Sequence, residues 1–448
     1  MPGDDVPRAG PHRRSVKAVS ASEFGEKRRA KFLEQQRKQR KKRIDLALSI
    51  ARANRQDQDR ASEPASDQPQ AGTSDTPTPS GARKGARGHG AASQRFWSSQ
   101  FLQPDWLTDV PSDLEGSWLV SPRPEGRRCL VVADQGSTVA RGRSGRVLVR
   151  CQSGLPGGSR STLCNDGATI LDCIYTGSGA GVSVGGEENM AVDGDAKDTR
   201  GTFWIVDIVA WRGQSLGEAD VDFRTFFVAS RLAECPALGP PFRDLPAVAC
   251  APDAIRQAYE EPVDFVRDGL MLTHRDSLYV PGPTPLVLLW KDARCSRYVV
   301  DTDAEGRPAA EQEAVLRLRE DGTVATEDDP PVVLARMPDT FMAQLRGGER
   351  GTPNGDAAMA EDDGGGGGRG AGAPRSVDGR LLRFAVGPGG VRTDQGGAAA
   401  DLRYVGLGNQ RRGRADSLSK IVFQQQARTG ALVTIEDLLE AARSGMAE

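Results

Sequence analysis

The sequence has few of the residues from which metal centres and histidine-based active sites are built. Its 448 residues include three histidines, His12, His89 and His274, which stand in unrelated contexts. The seven cysteines lie far apart and form no Cys-x-x-Cys pair, so the pattern of a zinc knuckle or redox motif is missing. We therefore predict no catalytic triad, no metal site and no cofactor. We interpret the cysteines as reduced thiols of a cytosolic or nuclear protein.

Long apolar runs are also missing. The longest apolar stretches, such as Phe203–Trp211, have the length of a strand and are too short to span a bilayer. No signal peptide is recognisable, so we expect a soluble protein. The glycine clusters at 177–186 and 364–368 lack the Gly-Lys-Ser/Thr of a phosphate-binding loop, and we interpret them as ordinary loops.

The composition indicates a single core with flexible tails. Apolar residues make up 38% of the chain and 53 residues are glycine, so much of the chain is not expected to pack. We predict five segments: a basic region 1–55, a disordered linker 56–93, a core 94–345, a Gly-rich flexible insert 346–376 and a C-terminal extension 377–448 that could dock on the core.

A strongly basic segment precedes the core. The formal net charge is −2, yet residues 27–43 include ten basic residues and one acid, Glu34. The stretch Ser22–Arg55 has high helix propensity and no proline, which predicts one long basic α-helix. Because like charges repel along a helix, we expect an acidic partner, either protein or nucleic acid. The apolar stripe is too thin for a helix that lies on a membrane.

Short β-branched runs dominate from about residue 94 onward. Cys129–Ala133, Thr169–Tyr175 and Phe203–Trp211 are examples, and Gly, Pro, Asp and Ser separate such runs. Helices such as Pro252–Glu260 have minor roles. This spacing predicts an α+β fold with mainly antiparallel β-sheets.

Five segments of the core resemble the snurportins, the import adaptors of spliceosomal small nuclear ribonucleoproteins (snRNPs). They occur in the family's order within residues 96–302, and they are DWLTDVPSDL (Asp105–Leu114), LPGGSR (Leu155–Arg160), TILDCIY (Thr169–Tyr175), VAWRG (Val209–Gly213) and YVPGPTPLVLLWK (Tyr279–Lys291). The resemblance implies a protein that binds the trimethylguanosine cap of spliceosomal U small nuclear RNA and shuttles between nucleus and cytoplasm.

The basic segment resembles the importin-β-binding helix of the same family over residues 26–52. The basic side chains that this resemblance assigns to importin-β are Lys27, Arg28, Arg29, Lys31, Arg37, Lys38, Arg40, Lys41, Lys42 and Arg43. The extreme N-terminus departs from the family, because MPGDDVPRAGPHRR stands where the snurportins have an apolar peptide that helps to hold a nuclear exportin. An exportin partner is therefore left open.

The resemblance also implies a set of cap-binding residues. Trp290 corresponds to the residue that stacks on the hypermethylated base, although this sequence has one residue more between Pro285 and Trp290 than the family. Trp106 corresponds to a second aromatic of the pocket, and Pro104 replaces a contacting serine. The other implied cap contacts are Arg127, Arg128, Cys129, Arg143, Ser230 and Arg231.

Physical chemistry is consistent with this assignment without requiring it. A methylated guanine is cationic and carries apolar methyl groups, so an aromatic ring suits it. Arginines suit the triphosphate bridge. On residue type alone, however, Trp106 and Trp290 are more readily core or rim residues.

The core also resembles the guanylyltransferase domain of messenger-RNA capping enzymes. Those enzymes use the lysine of a Lys-x-Asp-Gly-x-Arg motif to attack the α-phosphate, and residues 123–128 of this chain read RPEGRR. A guanidinium stays protonated and cannot be that nucleophile. The Asp-Gly-Glu strand of the enzymes reads Asp172-Cys173-Ile174, and their Lys-x-Lys reads Leu289-Trp290-Lys291. We therefore predict a nucleotidyltransferase-like, cap-binding core that is not an enzyme.

Two other functions are compatible with the residues. One is a divergent RNA guanylyltransferase with a relocated nucleophile. The other is a general RNA-binding protein whose basic helix contacts phosphates.

Overall fold

A computed structural model describes residues 8–9, 21–38, 40–62, 92–177, 201–297, 299–302, 306–347, 377–394, 397–410 and 413–445. The chain divides into two compact units. The smaller unit consists of Met1–Phe24, Val300–Asp303 and Arg307–Ala431, and the larger unit consists of Gly25–Val299, Ala304–Gly306 and Leu432–Glu448. In the described part of the chain, no helix is both long and apolar enough to cross a membrane.

Strands outnumber helices in the described part of the chain. The strands are β1 (Arg8–Ala9), β2 (Leu102–Trp106), β3 (Trp118–Pro124), β4 (Arg127–Asp134), β5 (Ser137–Gly142), β6 (Val147–Cys151), β7 (Thr169–Thr176), β8 (Thr202–Trp211), β9 (Gln214–Ser215), β10 (Phe242–Asp244), β11 (Val248–Ala249), β12 (Arg267–His274), β13 (Gly282–Trp290), β14 (Glu313–Leu318), β15 (Thr323–Ala325), β16 (Val333–Arg336), β17 (Leu381–Asp394) and β18 (Gly397–Leu407). The helices are α1 (Ala21–Lys38), α2 (Arg40–Ser62), α3 (residues 92–98), α4 (Leu114–Ser117), α5 (Val221–Ala233), α6 (Pro252–Glu260), α7 (Asp339–Gly347), α8 (Leu418–Thr429) and α9 (Ile435–Gly445).

Two sheets form the larger unit. One has the order β10-β8-β7-β4-β5-β6, with β9 also paired to β8, and the other has the order β11-β3-β12-β13-β2. Apart from the parallel pairs β10–β8 and β13–β2, the ladders given for these sheets are antiparallel. The predicted α+β class with mainly antiparallel sheets is therefore confirmed.

Period-two alternation distributes the side chains of these sheets over separate clusters. Leu130 and Val132 of β4 pack with Met271 and Val287 of the other sheet. On the opposite side of β4, Cys129 packs in a cluster that includes residues of α5. The outer face of the five-stranded sheet packs against α6 and α9.

Local sequence explains where several helices begin and end. The side chain of Asp220 caps α5 by accepting a hydrogen bond from the amide of Phe223, and Pro252 occupies the first turn of α6. Ser417 caps α8 in the same way, and α8 ends at Gly430, whose φ of 71° is left-handed.

The smaller unit has its own sheet and core. Its strands follow the order β1-β18-β17-β14-β15-β16, and β16 returns beside β18, so the sheet curls towards a barrel. Three strands, a helix and a two-stranded hairpin in this arrangement have the connectivity of an OB-fold. Leu316, Leu334, Phe384 and Leu402 are buried at its centre.

The structure divides the chain near residue 299, earlier than the predicted end of the core at 345. The reason is that β14 pairs with β17, which places residues 313–336 in the sheet of the smaller unit. The single long basic helix is not confirmed, since α1 and α2 are two elements with residue 39 outside the described residues. Most of the predicted linker and glycine-rich insert, at 63–91 and 348–376, also lies outside them.

Candidate functional site

A buried ion pair joins neighbouring strands of the seven-stranded sheet. The guanidinium of Arg128 on β4 donates from Nε and Nη2 to the two carboxylate oxygens of Asp172 on β7, at 2.9 and 2.8 Å. The hydroxyl of Tyr279 donates to Oδ2 of Asp172 at 2.7 Å. Burial, together with the charge of Asp172, raises the pKa of Tyr279 well above its ordinary value. Asp172 is therefore a fixed, fully buried anion that orients the arginine.

A second group of charges lies on the five-stranded sheet. Nζ of Lys291 donates to Oδ1 of Asp268 at 2.6 Å, and the hydroxyl of Ser296 donates to the same oxygen at 2.6 Å. Arg123 of β3 pairs with the other oxygen of Asp268. Two cations thus share one carboxylate, which leaves this group with one excess positive charge.

Burial is the largest influence on the two cations of this group. It lowers the pKa of Lys291, against the attraction of Asp268. It also lowers the pKa of Arg123, and repulsion from Arg128 acts in the same direction. The two groups of charges therefore interact electrostatically, and an anionic ligand would relieve the repulsion between their cations.

A glycine brings the carboxylate of Asp268 to this position. Gly269 has a φ of 97°, and a Cβ atom at this residue would lie 2.2 Å from the carbonyl oxygen of Trp290. Any larger residue would separate β12 from β13 at the point where Asp268 reaches Lys291. The Asp268-Gly269 turn is therefore a positioning feature of the site.

Trp106 lies beside Lys291, one of these cations. It ends β2, is half-buried, and is opposite Leu289 in the parallel pairing of β2 with β13. Nζ of Lys291 lies 5.5 Å from the centre of its ring. A partly open indole next to a buried cation has the chemistry to bind a base and a phosphate together.

The enclosed space between the two sheets is much smaller than a nucleotide. The cavity lined by Arg128, Asp207, Arg224 and Met271 has a volume of about 50 Å³. A space of this size holds water molecules, not a guanine nucleotide. A guanine nucleotide therefore does not fit in this cavity.

Trp290 does not lie where the sequence comparison assigned it. Its side chain is 1% exposed, its Nε1 donates to the carbonyl oxygen of Val433 at 2.8 Å, and its ring packs edge-on against Tyr259 at 5.5 Å between centres. Leu438 of α9 belongs to the same cluster. In this structure the indole is a core residue under α9, and neither the ring nor its N–H is offered to a base.

Alternation along β13 places the side chain of Trp290 on the side of the strand that faces α9. Leu288 and Trp290 face the cluster with α9, whereas Val287 and Leu289 face Met271 on the other side of the sheet. Side chains alternate along a strand, so a shift of one residue in register would move the tryptophan to the opposite face. Leu289 is the residue of β13 that lies next to Trp106.

The remaining cap residues assigned from the sequence are spread over the unit. Arg127 is exposed on β4, while Cys129 is fully buried, and burial raises the pKa of its thiol. Arg143 is exposed in the turn after β5, 6.0 Å from the ring centre of Phe101. Arg128 is the one residue of this set described in contact with the buried carboxylate of Asp172.

Ser230 and Arg231 lie near the end of α5. Arg231 pairs with Glu234 at 2.8 Å and covers the ring of Phe227, beside a pocket of about 650 Å³. Neither Arg128 nor Lys291 is among the described residues that line this pocket. The structure therefore does not bring Arg231 together with the charged groups.

The sequence analysis named Arg123 and Lys291 only as signs of lost catalysis, and it did not assign Asp268 or Tyr279 to the site. The available signal was the surviving second lysine of the Lys-x-Lys pattern and the Asp268-Gly269 turn. What was missed is that Arg123, Asp268 and Lys291 form one charged group, in which Lys291 lies beside Trp106.

Several importin-assigned residues contact the larger unit itself. Arg28 pairs with Asp105 at 2.9 Å and Arg29 with Asp109 at 3.6 Å. Arg37 lies 4.0 Å from Asp276, and Lys38 pairs with Glu34 at 2.6 Å. Lys27 and Lys31 are exposed, and the side chains of Arg40, Lys41, Lys42 and Arg43 lie outside the described residues.

The arrangement defines a class of protein: a two-sheet domain whose paired charges and half-buried indole are suited to a nucleotide ligand. Residues 100–184 and 176–292 match the family model "Snurportin1, m3G cap-binding domain". This match confirms the resemblance to the snurportins, and it covers the charged groups and Trp106. The chain therefore carries a region similar to a domain that binds the m3G cap.

Solved structures of DNA ligases were also found to be similar. The ligase domain of LigD from M. tuberculosis is 16% identical, with 69% of this chain and 93% of that chain covered and a TM-score of 0.29. Chlorella virus DNA ligase-adenylate is 11% identical, with 69% and 98% covered and a TM-score of 0.28. These TM-scores are too low to support an argument about the fold. The fold is therefore described from the sheets of this chain alone.

Proposed function

We propose that this chain is a non-enzymatic adaptor that binds the trimethylguanosine cap of spliceosomal U small nuclear RNA and links the snRNP to importin-β for entry into the nucleus. The observation that carries the proposal is the match of residues 100–292 to the m3G cap-binding domain. An adaptor of this kind shuttles between cytoplasm and nucleus, and it needs a cap site and an importin-binding segment in one chain.

The geometry supports a cap site at Trp106. Its half-buried ring offers a face for stacking and for the positive charge of a methylated guanine. Arg123 and Lys291 supply the excess positive charge that the triphosphate bridge requires. In this assignment Trp106 replaces Trp290 as the aromatic platform.

The same geometry argues against catalysis by the capping-enzyme route. The position of the enzymes' nucleophilic lysine is Arg123, and its guanidinium is held by Asp268. A guanidinium does not lose its proton under conditions in which proteins stay folded, so it forms no covalent nucleotide intermediate.

The test is a titration of fluorescently labelled trimethylguanosine and monomethylguanosine cap analogues, followed by anisotropy. We expect wild type to prefer the trimethylated cap, and Trp106→Ala to weaken binding roughly tenfold to a hundredfold, the contribution of one stacked base. Phe226→Ala is the matched control, because Phe226 is 71% exposed on α5 and contributes nothing to the charged groups. Equal affinity of wild type and Trp106→Ala would rule out this pocket.

One observation favours the guanylyltransferase alternative enough to be tested directly. Lys291 is a buried amine with a lowered pKa, which is a property of nucleophilic lysines. Incubation with α-labelled GTP and magnesium would transfer labelled guanylate to Lys291, with release of pyrophosphate, if this route operated. We expect no label to survive denaturation, and a label that is lost in Lys291→Arg would establish the enzyme instead.

A further inference from the structure

The basic helical segment, residues 25–62, is packed on the two sheets of the larger unit. Leu46, Ala47, Ile50 and Ala51 of α2 belong to the cluster between the two sheets, and Ile50 is fully buried. Phe32 of α1 is 8% exposed. Apolar burial of this extent stabilises the docked segment.

Polar contacts fix the register of α1 on the core. Nε2 of Gln36 donates to the carbonyl oxygen of Asp276 at 2.5 Å, and its Oε1 accepts from the amide of Leu278 at 3.1 Å. The side chain of Gln36 therefore satisfies two backbone groups of one core segment. Two further ion pairs join α1 to another core segment. Arg28 pairs with Asp105, and Arg29 pairs with Asp109.

The C-terminal part of the segment, in α2, is held on the core by equally specific polar contacts. Arg55 of α2 donates to both carboxylate oxygens of Asp134, at 2.6 and 3.1 Å. Arg141 of β5 donates to the amide oxygen of Asn54 at 3.0 Å, and Asp57 accepts from the indole of Trp97 at 3.0 Å. One cationic, one anionic and one amide side chain of α2 are thus each bonded to a core group, the amide of Asn54 through its oxygen.

We propose that the core surface bearing Asp105, Asp109, Asp276 and Asp134 is an intramolecular receptor for the basic helical segment, and that it competes with the acidic surface of an import receptor for that segment. This inference rests on the proposed function. Arg28 and Arg29 illustrate the conflict, because each is assigned to the import receptor and each is already paired with a core carboxylate. A segment that is docked on the core is not available to its external partner. The apparent affinity for that partner is therefore the intrinsic affinity multiplied by the fraction of molecules in which the segment is undocked.

Core-side substitutions test the competition without altering the segment. In the full chain, Asp109→Asn combined with Asp134→Asn removes one core carboxylate near each end of the docked segment. We expect amide hydrogen exchange over residues 25–62 to become faster, and importin-β to bind about fivefold to tenfold more tightly, the combined effect of two partly exposed ion pairs. If the double variant does not fold, Asp134→Asn alone should give a smaller change in the same direction.

The matched control is Asp166→Asn combined with Asp264→Asn. These carboxylates pair with Arg212 and Arg243 in exposed positions and make no described contact with the segment. The control removes the same charge from the core and should leave importin-β affinity and hydrogen exchange unchanged. An equal gain in affinity in the control would assign the effect to bulk charge and overturn the proposal.

The outcomes separate this proposal from the function on which it rests. Faster exchange with tighter importin-β binding in the test variant supports competition. Faster exchange with unchanged importin-β affinity overturns competition and leaves the adaptor function intact. Failure of importin-β to bind wild type and variants alike overturns both.

Discussion

Trp106 and Trp290 lie on adjacent strands of one sheet, yet their environments differ completely. Trp106 is half-buried beside the ammonium of Lys291, whereas Trp290 is 1% exposed and its N–H is bonded to the backbone of Val433. Leu289, the residue opposite Trp106, directly precedes Trp290. The comparison teaches that on a strand the face decides the role of an aromatic residue, and that one residue of register changes the face.

Removal of Trp290 should have the largest effect on the fold. Trp290→Ala leaves a cavity under α9, and we expect the free energy of unfolding to fall by about 3–5 kcal/mol. Chemical denaturation measures this, with Trp106→Ala as the comparison that loses far less stability. A Trp290→Ala variant that keeps its stability but loses cap binding would place the indole on the ligand side and break the comparison.

The buried ion pair of Arg128 with Asp172 should be nearly as sensitive. Asp172→Asn leaves the buried Arg128 without its anion, and we expect a loss of about 3 kcal/mol or more in the free energy of unfolding. The exposed pair of Asp166 with Arg212 is the control, since Asp166→Asn should cost less than about 1 kcal/mol. Similar losses in both variants would mean that burial does not distinguish the two pairs.

A tryptophan at position 289 tests the comparison by adding an aromatic ring beside Trp106. Leu289→Trp puts a second ring next to Trp106 on the side of the sheet that Met271 shares. We expect affinity for a trimethylguanosine cap analogue to rise by about tenfold, since a stacked base contributes about 1–3 kcal/mol. Trp290→Leu, on the opposite face, should give no such gain in the same titration.

The pH dependence of cap binding should show the smallest effect. Burial lowers the pKa of Lys291, so its amine loses its proton at a lower pH than an ordinary lysine does. The folded protein binds fewer protons than the unfolded chain in this window, and the cation available to an anionic ligand disappears there. Cap affinity should therefore fall as the pH rises towards the ordinary lysine range, and Lys291→Arg should remove this decline.

The sequence predicted part of the fold and part of the site. The α+β class followed from short β-branched runs, and the strand Phe203–Trp211 lies within β8. The basic segment was expected to bind an acidic partner, and its packing on the core was not foreseen. Its apolar residues Leu46, Ala47, Ile50 and Ala51 look sparse along the chain, but together they fill one gap between two sheets.

Sequence by itself determined what depends on residue identity and short-range order. It placed a guanidinium, Arg123, at the position that corresponds to the nucleophilic lysine of messenger-RNA capping enzymes, and residues 100–292 match the cap-binding domain. Tertiary structure alone decided which groups meet, because pairs such as Lys291 with Asp268 and Arg28 with Asp105 depend on strand register and on packing between distant segments. For the same reason only the structure could place Trp290 under α9 and Trp106 beside Lys291.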